Sequence, residues 1–211
     1  MLGLFWHLNF RVSALSPPAP NVRALTALST ARYLGLANPP CRTPRRPDDN
    51  VDMGYRLQAV IASDNVLRDL AGTVEEAKIV PLSQHLALLP MSDAYVDAVT
   101  VPGAPKLDGF WKVPRGFGSA LVACSVKGPV AYVEAEYFGG TGTQIAQVWN
   151  DGEVVLGPLP MAEKEPIPAI GSPISQALRQ LGAVKGDHVD EFDTIGLGRH
   201  RDTDDWLPDT D

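Results

Sequence analysis

VAYVEAEYFGGTGTQIAQVWNDGEVVL, residues 130–156, is the stretch that decides the fold class. Val130–Phe138 is rich in β-branched and aromatic residues, and Thr143–Trp149 repeats that character after the glycine-rich Gly139–Gly142. Asn150-Asp151-Gly152 is a hairpin turn signal, and Glu153–Leu156 makes a third short run. The spacing predicts a three-stranded antiparallel meander.

Working outward, Tyr55–Ala62 reads as an earlier strand, and Ser63 or Asp64 caps a short helix that Gly72 ends. Lys78–Leu82 and Leu86–Leu89 are edge strands or packed loops, because Pro81 and Pro90 interrupt them. Ser92 is a helix N-cap for Asp93–Val99, and Pro102–Pro114 is a loop carrying Phe110 and Trp111. Ser119–Val126 is apolar at nearly every position and stops at Lys127-Gly128-Pro129, which predicts a buried helix. After a Pro-rich loop over 157–171, Ser172-Pro173 opens a helix through Leu181 closed by Gly182. A last short helix runs from His188 to Ile195, and residues 199–211 are expected to fray. Helices alternating with antiparallel hairpins indicate an α+β fold: a single domain over 53–211, with a β-meander and short flanking helices.

Residues 1–52 differ in composition. They hold six arginines, no lysine and three acids, for +3; the rest has 12 basic and 22 acidic residues, for −10. Pro39-Pro40 and Pro44-Arg45-Arg46-Pro47 suit a disordered leader, with at most a weak helix over 24–36. A start assigned too far upstream, an organellar transit peptide and a genuine tail all fit, whereas a secretory signal lacks its basic n-region. No run of about 20 apolar residues exists to span a membrane as a helix. The acidic body argues against phosphate-backbone recognition of nucleic acid and suits a basic protein partner. With Cys41 in the leader, Cys124 has no partner for a structural disulfide, which points to a reducing cytoplasm.

Four constellations bear on chemistry. The turn Gly139, Gly140, Thr141, Gly142 lacks the lysine and following helix of a phosphate loop, so it reads as a wide hairpin connection, or as exposed amides for a ligand. Glu134 and Glu136 share one strand face roughly 6.5–7 Å apart, within the range for two carboxylates around a scissile bond. Glutamates so placed more often line the solvent side of a sheet whose other face, Ala131/Val133/Ala135, points to the core. His188 and Glu191 stand at i, i+3 within an acidic segment, but without the three or four converging ligands of a metal site. Gly196–Arg201 concentrates basic residues that suit an anion pocket or salt bridges to nearby acids, while Cys124 and His85 lie in apolar runs where each most simply packs. No catalytic motif is complete and no cofactor fingerprint is met.

GPVAYVEAEYFGGTGTQIAQVW (Gly128–Trp149) with GDHVDEFDTIGLGRHRDTDDWL (Gly186–Leu207) resembles a set of small uncharacterised bacterial α+β proteins. In size and acidity the chain is also similar to bacterial immunity proteins, a resemblance that implies a toxin-neutralising, protein-binding role. The expectation is therefore a cytoplasmic protein-binding module using Glu134, Glu136 and the acids of 187–205. The alternative is an enzyme or small-ligand binder built on Gly139–Gly142 and the two glutamates.

Overall fold

β4 (Val130–Phe138) is covered on both faces through its first six residues, which makes it the centre of the architecture. It pairs antiparallel with β1 (Tyr55–Ser63) on one side and β5 (Thr141–Asn150) on the other. β3 (Leu86–Pro90) lies beyond β1, and the two-residue β2 (Val80–Pro81) beyond β3; β6 (Glu153–Met161) lies beyond β5. The six-stranded sheet has the order β2-β3-β1-β4-β5-β6 and is antiparallel throughout. The computed structural model describes residues 54–208, so the leader and its weak helix over 24–36 lie outside the described residues. The fold is α+β, as expected, and the meander is half of a larger sheet.

Two helical layers cover the sheet. On one face Leu57, Ile61, Leu88, Val133 and Val148 pack against Ile174 and Leu178 of α4 (Pro173–Gln180). α5 (Glu191–Thr194) and the C-terminal residues Leu197 and Trp206 extend that layer. The other face, with Val60, Leu89, Tyr132 and Trp149, meets α1 (Asp64–Ala71), α2 (Asp93–Val99) and α3 (Phe117–Cys124). The sheet therefore has no solvent side at β4, and the expectation for Glu134 fails there. Both faces of the strand carry apolar residues because both must be buried.

Local chemistry explains most boundaries. Ser92 Oγ accepts from the Tyr95 N–H at 3.3 Å, and Ser172 Oγ does the same for Ser175, ahead of Pro173 at the first helical position. α3 starts at Phe117, two residues before the expected start, and buries Phe117, Leu121 and Cys124 at helical spacing. Val122 and Val126 stay exposed, so only one side of that apolar run enters the core.

β6 continues to Met161 through sequence expected to be loop. Pro158 and Pro160 are tolerated because β6 is an edge strand, and a register shift beside Val148 absorbs the irregularity. Pro81 serves the opposite edge in the same way. Both edges are thus poor templates for adding a further strand.

The largest departure is at the C-terminus. Residues 199–208 are packed rather than frayed: the Arg56 N–H donates to the Arg201 carbonyl at 2.8 Å, and the Gln58 N–H to Thr203 Oγ1 at 2.9 Å. Trp206 is 3% exposed, with the Arg199 guanidinium 5.1 Å from its ring centroid and His200 at 4.6 Å. Burial of an indole outweighs the acidity of its neighbours, which remain solvated around it.

Candidate functional site

Glu134 enters the interior because β4 is two-sided. Its side chain is fully buried, and its carboxylate accepts from the Trp111, Lys112 and Val113 N–H groups at 2.8, 2.8 and 3.1 Å. The Tyr132 hydroxyl donates to the same carboxylate at 3.0 Å. Burial pushes this carboxyl above its ordinary range, while the amides and the phenol pull it back. Three successive backbone N–H groups around one oxyanion form a nest, here filled by the protein's own side chain. The cage pins the 102–114 loop to the sheet.

Glu136 has a different fate. It is exposed and lines a cleft of about 360 Å³ with Tyr55, Tyr137, Phe138, Arg201 and Asp202. The two carboxylates share a strand face but not a cleft, since the helical layer covers Glu134 and stops short of Glu136. The glycine turn beside them is tight: Gly139 and Gly140, at φ 59° and 84°, form its two-residue tip. Gly142 belongs to β5, where a side chain would collide with the Glu136 carbonyl oxygen and lie 2.6 Å from Tyr137 Cα. The glycines therefore serve the turn and the close strand approach.

His188 and Glu191 are not brought together. α5 begins at Glu191, with Asp190 Oδ1 capping it through the Asp193 N–H at 2.9 Å, so His188 lies outside the helix. His188 Nδ1 sits 3.0 Å from Asp193 Oδ2, whereas Glu191 is 5% exposed and lies 3.6 Å from Arg179. Among the described residues, no three His, Cys, Asp or Glu side chains are grouped to hold a metal ion. Arg199 covers Trp206 and donates to the Pro81 carbonyl, and among the described residues it bridges to no acid, contrary to the anion pocket or salt bridges expected there. His85 is exposed in a left-handed turn at φ 63°, contrary to the packing expected for it. Cys124 is 7% exposed, and burial pushes its thiol up to about 11.

A second, larger cleft was not anticipated. A cleft of about 920 Å³ opens between the 75–78 loop, the start of α2 and the C-terminal segment. Glu75, Glu76, Asp204 and Asp205 line it with Lys78 and His200. Among the described residues, none of these four carboxylates is in an ion pair. Lys78 Nζ donates instead to the Glu75 carbonyl, at 2.9 Å. The adjoining surface is a chain of alternating charges, with Lys112 on Asp93 at 2.8 Å and Arg56 on Asp202 at 2.6 Å. Asp205 lines both clefts, so one ridge of C-terminal residues separates them.

No protein-family model, curated protein or solved structure matches the chain. The geometry of these clefts is therefore what bears on function. The sequence signal for the larger one was Trp206-Leu207, an apolar pair inside an acidic tail that only makes sense if the tail packs.

Proposed function

We propose that this chain is a protein-binding module that takes a basic segment of a partner protein into the acidic cleft bounded by Glu75, Glu76, Asp204 and Asp205. One observation carries the reading: four carboxylates line this cleft of about 920 Å³ with no ion pair among the described residues, although Arg68, Lys112, Lys127 and Arg56 are each paired elsewhere. Lysine and arginine side chains entering the cleft supply the missing countercharge, and the acidic body steers them toward it. Inhibitory binding of a basic toxin, as immunity proteins do, is the biological form this reading takes. A cytoplasmic setting goes with it, since Cys124 is a buried free thiol. Among the described residues no helix is long and apolar enough to cross a membrane.

The test uses the full chain and a fluorescein-labelled ten-residue peptide of alternating Arg and Ala, followed by anisotropy at low ionic strength. Glu75→Gln, Glu76→Gln, Asp204→Asn and Asp205→Asn together are expected to weaken binding at least about tenfold. The control removes the same charge elsewhere, through Asp151→Asn, Glu153→Gln, Glu163→Gln and Glu165→Gln. Equal loss in both proteins would reduce the effect to net charge and overturn the reading.

A further inference from the structure

We propose that Trp111 is a second contact of this docking face, an aromatic platform for an arginine of the same basic segment, and that buried Glu134 is the positioning residue that holds it there. This rests on the acidic-cleft reading. The loop is anchored on both sides of the indole, by Phe110 at 5% exposure and Val113 at 2%, while Trp111 itself is 41% exposed. An exposed tryptophan flanked by buried anchors at 110 and 113 is presented outward by a fixed backbone. Phe110 stands edge-on to Tyr132 at 5.2 Å, and Tyr132 donates to Glu134, so the anchor and the cage are one unit.

A buried carboxylate is a costly way to fill space, because an apolar side chain would cover the sheet without losing hydration. What Glu134 supplies, and an apolar residue does not, is three acceptor contacts to consecutive N–H groups at 111–113. Its product is therefore the conformation of this loop. Fixing an aromatic before binding removes an ordering cost that would otherwise weaken the complex.

The loop is also tied to the start of α2, which borders the cleft. Lys112 is paired to Asp93, and the flanking Ser92 and Ala94 line the acidic cavity. Lys106 Nζ is held on the Trp111 carbonyl at 2.6 Å. Both nearby lysines are thus engaged, and among the described residues no cation stands over the Trp111 ring. Tryptophan is the best side chain for receiving a guanidinium on its face. A basic segment entering the cleft brings such a group.

The full-length protein and the same Arg/Ala peptide test this. Trp111→Ala is expected to weaken binding about three- to tenfold, and Trp111→Phe less. Glu134→Gln is expected to weaken it by a similar factor, and the double variant no further, because both act through one indole. Indole N–H signals in NMR report the fold: those of Trp149 and Trp206 stay in place in Glu134→Gln while that of Trp111 shifts or broadens. Binding within twofold of wild type for Trp111→Ala, with loss in the four-carboxylate variant, would overturn this inference and leave the cleft reading intact. Retained binding in the four-carboxylate variant would overturn both. Additive losses in the double variant would remove Glu134 from the positioning role; if Glu134→Gln does not fold, Trp111→Ala decides the platform.

Discussion

Replacing Glu134 in two steps separates what its shape contributes from what its charge contributes. Oε1 accepts from Lys112, Val113 and Tyr132, and Oε2 from Trp111 alone. Glutamine can leave its oxygen on the crowded side and keep three bonds, while its amide group then faces the Trp111 N–H. The Trp111 N–H and the new amide N–H groups then face each other without an acceptor, and each orphaned donor group costs roughly 1–3 kcal/mol. Losing charge assistance adds to that cost, and relief from burying a charge offsets part of it. A net loss of about 2–3 kcal/mol is expected for Glu134→Gln.

Alanine removes every acceptor and leaves a void. Three N–H groups and a buried phenol lose their partner, but Trp111 and Lys112 are close enough to solvent to recruit water. The sum is then about 3–5 kcal/mol rather than the larger figure for four sealed donors. Urea denaturation of both variants gives the difference directly, with hydrogen exchange localising it. Protection should fall at 110–113 in Glu134→Ala and stay unchanged in α4 on the opposite face. If the alanine variant loses less than about 1 kcal/mol, with normal exchange at 110–113, the cage does not hold the loop.

Further expectations follow from the same packing. Trp206→Ala should cost about 3–5 kcal/mol and raise exchange at Arg56 and Gln58, whose N–H groups bond the C-terminal segment; unchanged exchange there would contradict its docking. Cys124 should alkylate with iodoacetamide at least about a hundredfold more slowly in the native protein than in denaturant at pH 8, since both burial and its raised thiol pKa oppose the thiolate; equal rates would refute that placement. Asp202 is only partly buried, and its desolvation is outweighed by the Asp204 N–H and Arg56, which hold its carboxyl below the ordinary value. Its contribution is present above the unfolded pKa near 4 and lost as pH falls through the lowered native value. Asp202→Asn should therefore flatten the acid limb of the stability curve below pH 4 in thermal melts, and an unchanged limb would refute the pairing.

What could be read from the sequence was local. Ser92, the Ser172-Pro173 pair and the β4 span are all visible because a cap, a fixed proline φ or a β-rich run acts over a few residues. The pairing of β1 with β4 was not visible, since nothing in either strand names a partner some seventy residues away. That pairing buries Glu134. A hint existed in Val130 and Tyr132, which share its face and mark that face as apolar. Pro158 and Pro160 misled in the opposite direction, because a proline that breaks a central strand is harmless at an edge.

The acidic excess was legible as a total, but its distribution needed the fold. Of the acids of 187–205 expected to form a binding surface, Asp190 caps a helix, Glu191 faces Arg179 and Asp193 faces His188. Internal partners diminish their value to an incoming cation, because binding must first disturb those contacts. Glu75, Glu76 and Asp204 have no such ion pairs among the described residues, and packing of Trp206 brings two separate sequence regions to one cleft. On the proposed reading, the charge available to a partner is what remains after local pairing, and burial of one C-terminal indole places Asp204 and Asp205 in one cleft with the 75–78 loop.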